Sequence, residues 1–357
     1  MVVRKKRKLL LLAGIINLLV LSLIGCKNSS TQVESTTWEY HRNPDEVGWS
    51  FDKLKKAKDY YDSIGSTAAM AIYDGKVLFE WGDVTKKSNV HSVRKSFLSA
   101  LLGIYVQEGT IHLEETLNEL GISDNVTLTM LEENATIADL LTSRSGIYLR
   151  AGEESLLMRW NRPERESYVP GSQFHYNNWD FNVLGTIFNN KTNSDLFEEF
   201  NERIAIPIGM EDYVLEDSIY KYELKRSMHP SYLFRMSARD MARFGLLFLQ
   251  DGQWAGQQLI PKDWISESTS VQTPVPTSIE YGYGYMWWVA DAKPFNELGL
   301  YSAIGRYGQS IDIIPEANLV FVHRVNSDRL INRTVNHVND KKRLTLLEKV
   351  LDAHIGD

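Results

Sequence analysis

Ser-x-x-Lys occurs three times in the chain, as Ser50–Lys53, Ser92–Lys95 and Ser218–Lys221. Both residue types are common, so the pattern alone is weak and its surroundings decide. After Ser92 the sequence predicts a helix, with Leu98, Leu101, Leu102, Tyr105 and Val106 on one face and Gln107-Glu108-Gly109 as its stop. Spacing of i, i+3 brings the Lys95 ammonium to the side of the helix that carries the Ser92 hydroxyl. The helix N-terminus adds unsatisfied N–H groups and a positive partial charge, which favour an alkoxide or an oxyanion. A hydroxyl so placed beside an amine is an oxygen nucleophile with its base. The competing expectation is that Ser92 only caps the helix, the role expected of Ser50. Ser218 lies in a stretch of mixed character.

Of the 17 tyrosines, only Tyr176 has an asparagine two residues later, within Pro170-Gly171-Ser172-Gln173-Phe174-His175-Tyr176-Asn177-Asn178. A phenol ordinarily titrates near 10 and is a poor base in water. Beside Lys95 its phenolate would be stabilised, and the pair could relay the Ser92 proton. Asn178 could orient Lys95 through its carbonyl and donate to a substrate through its amide. The plainer alternative is a turn followed by a buried aromatic. Other chemistries lack their usual signals. The eight histidines are scattered singly, HExxH and GxxxxGK[ST] are absent, no GxGxxG follows a strand, and no GxSxG elbow occurs. No cofactor is implied.

The elements that must position these residues can be read coarsely. Phe51–Ile64 has helical spacing, and Ala68–Ile72 and Lys76–Trp81 flank the Asp74-Gly75 hairpin signal. Ser310–Ile314 and Leu319–Arg324 read as strands, and a last helix is expected over about 340–354. The pattern predicts an α/β (α+β) protein, with a sheet domain from residues 38–95 and 275–357 and an inserted, mainly helical domain from 96–274. Their interface would hold the site.

Thirty-nine Lys and Arg stand against 46 Asp and Glu, a net charge of −7. Five of the bases sit in residues 1–25, so the rest of the chain carries 34 bases and a net charge of −12. So acidic a body is a poor polyanion binder, and nucleic acid is excluded as the default partner. Residues 1–25 run from a basic segment through an apolar one to Leu23-Ile24-Gly25-Cys26, the layout of an export signal. The last four residues resemble a bacterial lipobox, which implies lipidation of Cys26, the chain's only cysteine, and a body outside the cytoplasm. Residues 26–37 would be its tether. A membrane-spanning helix is the alternative.

Ser92-Val93-Arg94-Lys95 and Tyr176-Asn177-Asn178 resemble the nucleophile and tyrosine motifs of the serine β-lactamase and penicillin-binding-protein superfamily. The segments Thr136–Ile147, Ser237–Gly245 and Tyr281–Tyr285 resemble further parts of that family in the same order, in the branch of class C β-lactamases, D-alanyl-D-alanine carboxypeptidases and esterases. The resemblance implies a β-lactamase/transpeptidase-like fold, with Ser92, Lys95 and Tyr176 catalytic and Asn178 at the substrate. The chain departs from the family at the third motif, Lys-Thr-Gly or its variants. Keeping the glycine places that motif at Ala303-Ile304-Gly305. Counting back from Gly308 places it at Leu300-Tyr301-Ser302. Neither contains a cation. By resemblance, the N–H groups of Ser92 and Arg306 would form an oxyanion hole, and the Arg306 side chain would either replace the missing cation or lie in solvent. Among the aromatics, Trp160 is the tryptophan singled out for the cleft; core packing is expected for most of Trp179, Trp287 and Trp288.

These readings converge on a lipid-anchored, extracytoplasmic serine hydrolase acting on a small ester or amide through a Ser92 acyl-enzyme. A cell-wall D-alanyl-D-alanine carboxypeptidase or a β-lactamase would use the same residues. A non-catalytic binding module of the same fold is the alternative from another class.

Overall fold

The computed structural model describes residues 37–276, 278, 280–328 and 337–355. The leader, Cys26 and nearly all of the expected tether lie outside them. The helices are α1 (Phe51–Ile64), α2 (Arg94–Gln107), α3 (Ile137–Leu141), α4 (Leu156–Trp160), α5 (Asn178–Thr192), α6 (Leu196–Phe200), α7 (Ala238–Leu249), α8 (Lys262–Ser268) and α9 (Asp340–Leu351). The strands are β1 (Ala68–Tyr73), β2 (Lys76–Gly82), β3 (Ser88–Asn89), β4 (Ser218–Lys221), β5 (Ser231–Met236), β6 (Gln253–Trp254), β7 (Gln257–Gln258), β8 (Thr273–Pro274), β9 (Tyr281–Tyr283), β10 (Trp288–Ala290), β11 (Tyr301–Gly305), β12 (Gln309–Ile314) and β13 (Leu319–Arg324).

Eight strands form an antiparallel sheet in the order β2-β1-β13-β12-β11-β10-β9-β8. Its first hairpin turns on Asp74 and Gly75, both left-handed at φ 47° and 73°, as a two-residue turn between right-twisted strands requires. The central strands are buried on both faces. Along β1, Met70 and Ile72 face one apolar layer while Ala69 and Ala71 face the other, the two-residue alternation of a strand. The first layer is shared with α2, α5 and α7, the second with α1 and α9. Ser50 does cap α1, its hydroxyl accepting from the N–H of Lys53, and Gly65 ends that helix in the left-handed region. Helix α9 is anchored by Arg343, fully buried in an ion pair with Asp312 of β12 and donating to the Tyr281 hydroxyl at 2.7 Å. Asp312 also accepts from Ser302 of β11, so the pair braces the strand that carries the third motif.

Helix α2 is more deeply set than its sequence suggests. Every residue from Arg94 to Tyr105 is buried, not one face alone. The small residues Ser96, Ser99 and Gly103 allow it, because neighbouring chains close over them; the Trp264 ring lies directly against Gly103. The elements make a mixed α/β fold with a large antiparallel sheet. Residues 35–357 form one compact unit. The division into a sheet domain and an inserted helical domain stands as our proposal for its organisation. Among the described residues, no helix is long and apolar enough to cross a membrane.

Candidate active site

Ser92 lies in a single 3₁₀ turn, His91–Val93, between β3 and α2. No side chain caps either helix start, so Ser92 is not the cap that its spacing also allowed. Its predecessor His91 is held at φ 52°, a region that costs a non-glycine residue energy and recurs at functional sites. Two contacts hold it there: its N–H donates to Asn89 Oδ1 at 2.7 Å, and its Nε2 lies 2.8 Å from Ser327 Oγ. Burial, with Arg306 and Arg324 adding to it, pushes the His91 imidazole down to about 4, so the ring is neutral and structural. The other two serine–lysine copies are unlike this one. Ser218 and Lys221 sit in a strand, where a three-residue spacing points the side chains to opposite faces.

Lys95, in the first turn of α2, is only 2% exposed. Its Nζ lies 3.0 Å from Ser92 Oγ, 2.6 Å from the Tyr176 hydroxyl and 3.0 Å from Asn178 Oδ1. The ring centroids of Tyr176 and Phe181 each lie 4.4 Å from the same nitrogen. Burial holds the amine well below its ordinary value, and the guanidinium groups of Arg94 and Arg306 push the same way against Glu153. An amine held down in this way gives up its proton more readily and so is better placed to act as a base. Burial also pushes the Tyr176 phenol up to about 12, opposed by its hydrogen bond with Ser92 and by the two arginines. Taking both groups from water disfavours both charges, so burial works against the expected phenolate beside a lysine cation.

Asn178, at the start of α5, orients Lys95 as expected. Its amide does not wait for a substrate, because Nδ2 donates to the carbonyls of Glu153 at 2.8 Å and Gly152 at 3.3 Å. The segment between the two motifs braces the tyrosine loop. His175 N–H donates to the Ser143 carbonyl at 2.9 Å, and Ser145 donates to the buried Asp180 carboxyl at 2.6 Å.

Strand β11 brings Gly305 beside the nucleophile. A methyl group there would press into the Val90 carbonyl and come within 3.2 Å of the Ser92 nitrogen. That close approach favours the alignment that keeps the glycine. Ala303 is buried in the core and lines neither cavity described below, so it does not present a side chain to substrate there. Ile304 does face a cavity. Arg306 is exposed, yet it lines a small space of about 30 Å³ with His91, Ser92, Arg94, Glu153, Met158, Asn178 and Leu233.

A larger cavity of about 620 Å³ begins at Tyr176, with Met158, Phe174, Val275, Trp288 and Ile304 among its walls. Trp179 and Trp287 are fully buried core residues. Trp160 is 77% exposed and lines neither cavity, whereas its α4 neighbours Leu157 and Met158 line the larger one. Glu153 was not legible in the sequence. It stands at φ 59°, and although burial pushes its carboxyl up, Lys221, Arg94 and Arg306 hold it below the usual range.

A serine hydroxyl, a buried lysine and a phenol within hydrogen-bonding reach are the parts of an active-serine acyl-transfer site. A family model described as Beta-lactamase matches residues 52–345. The chain belongs to the serine β-lactamase and penicillin-binding-protein superfamily, whose members are serine hydrolases, and it has the β-lactamase/transpeptidase-like fold. An uncharacterised protein of Alkalihalophilus pseudofirmus is 24% identical over 311 residues, covering 77% of this chain and 87% of its own length. Among solved structures, a Bacillus anthracis protein assigned as a 6-aminohexanoate-dimer hydrolase is 24% identical, with a TM-score of 0.63 over 83% of this chain and 81% of its own. An octameric penicillin-binding-protein homologue from Pyrococcus abyssi is 19% identical, with a TM-score of 0.61 over 84% and 77%. At these identities the likeness is one of fold.

Proposed function

We propose that the protein hydrolyses a neutral ester or amide through an acyl-enzyme on Ser92. The observation that carries this reading is the buried Lys95 nitrogen, within 3.0 Å of Ser92 Oγ and 2.6 Å of the Tyr176 hydroxyl. As Oγ attacks the carbonyl carbon, its proton passes to Lys95. The oxyanion is met by the N–H groups of Ser92 and Arg306. The bond to the leaving oxygen or nitrogen then breaks, its electron pair stays with that atom, and the relay proton reaches it through Tyr176. Water attacks the acyl-enzyme, the relay takes its proton, and Ser92 is regenerated.

Cleavage of β-lactams or D-alanyl peptides is the second reading, favoured by Arg306 beside the nucleophile. Such substrates present a carboxylate, for which a charge-assisted contact is worth about 1.5–3 kcal/mol. Here Ala303 and Ile304 offer neither cation nor hydroxyl, and the body outside residues 1–25 carries −12. We therefore expect p-nitrophenyl esters of short acids to be hydrolysed, with weak or absent turnover of a chromogenic cephalosporin. Steady-state kcat/KM for both decides; efficient cephalosporin turnover without esterase activity would transfer the function to the second reading. Failure of both a fluorophosphonate and a fluorescent penicillin to label Ser92 would leave the binding module.

We also propose that Cys26 carries a lipid anchor that holds the body outside the cytoplasm. Cys26→Ala should then abolish partitioning into a detergent phase, and unaltered partitioning would identify residues 9–23 as a spanning segment.

A further inference from the structure

We infer that the substrate joins a short acyl group to a bulky apolar leaving group that is neutral or cationic; this rests on the acyl-enzyme reading above. Two cavities, one lined by Ser92 and the other by Tyr176, differ in size and in chemistry. The smaller, about 30 Å³, is walled by His91, Arg94, Glu153, Asn178 and Arg306. The larger, about 620 Å³, is walled mainly by aliphatic and aromatic side chains. Its described lining residues include the carboxylates of Glu280 and Asp340 and no lysine or arginine. Met158 lines both.

Which cavity takes which half of the substrate follows from the proton. The departing atom must lie against the group that protonates it, and Tyr176 lines the larger cavity only. The acyl carbon stays bonded to Ser92 Oγ, which lies in the smaller cavity. A long acyl chain there would strip water from Glu153 and Arg306, and one nitrogen of the buried Arg94, Nη1, already lacks a hydrogen-bond partner. The same chain on the leaving group would pass from water onto Phe174, Trp288 and Ile304.

Octyl acetate and methyl nonanoate are isomers that differ only in where the carbonyl sits, so they test this assignment on the full-length chain. Octyl acetate should be preferred in kcat/KM by about tenfold or more, the scale on which an apolar pocket discriminates. Trp288→Ala, and independently Leu157→Asp on the exposed α4, should lower octyl acetate turnover more than ethyl acetate turnover. A preference for methyl nonanoate, or equal rates, would overturn the inference while leaving the hydrolase reading intact. An octyl-to-ethyl ratio unchanged in both variants would overturn the assignment of the larger cavity. Hydrolysis of none of the three esters would remove both readings.

Discussion

The two sides of Ser92 solve opposite problems. On one side Lys95 and Asn178 are enclosed behind a half-buried Tyr176, and Lys95 and Asn178 meet their hydrogen-bonding needs within the site. On the other, Arg306 stands in solvent, and the strand before it contributes Ala303 and Ile304 where relatives by resemblance place a cation and a hydroxyl. Burial on the first side shifts protonation: the Lys95 amine is held well below its ordinary value because a charge there would be desolvated. Exposure on the second leaves Arg306 screened by water. Catalytic power should therefore depend steeply on the enclosed side, and substrate choice on the open one.

The largest test of that contrast lies in the relay. Ser92→Ala should abolish turnover. Tyr176→Phe and Lys95→Ala should each lower kcat by ~10²–10⁴-fold, the usual contribution of an acid–base group. The double variant should be no worse than either, because the two act as a unit. Near-wild-type rates in Tyr176→Phe would leave Lys95 as the sole base.

Gly305→Ala tests the point where the two sides touch. The added methyl meets Val90 and the Ser92 nitrogen, so the nucleophile must shift. A displacement of about 1 Å can cost roughly 10²-fold, and kcat should fall on that scale with the fold retained by circular dichroism. Undiminished kcat would place the third motif elsewhere on the strand.

The smallest effect is expected at Arg306. Arg306→Gln should change kcat/KM for a neutral ester by less than about fivefold, since exposed charge pairs contribute ~0–1 kcal/mol. Its sign is more informative than its size. Arg306 helps to hold the Lys95 amine down, so its removal lets Lys95 take up a proton at higher pH. The acid limb of the pH–rate profile should then move upward. A downward shift would mean that the two sides are coupled by something other than charge.

How much of this was legible in the chain depends on the distance over which each feature is written. Ser92, Lys95 and the Tyr176 segment are local patterns, and helical spacing carries the first pair into contact. The hairpin at Asp74-Gly75 and helix α1 are equally local, and both stand where their residues predict. Trp160 illustrates the limit. Its polar, proline-containing surroundings suggested a cleft residue, but the turn of α4 directs Leu157 and Met158 into the cavity and leaves the indole in water.

The sequence by itself determined the family, the serine, lysine and tyrosine proposed as catalytic, and the missing cation in the third motif, because each is a matter of residue type and spacing. Only the tertiary structure decided that the Asn178 amide is occupied by Gly152 and Glu153, that Met158 lines two unlike cavities, and that burial holds the Lys95 amine well below its ordinary value. The reason is physical. A protonation state depends on the water removed from a group and on the charges left around it, and both are supplied by side chains far apart in the chain.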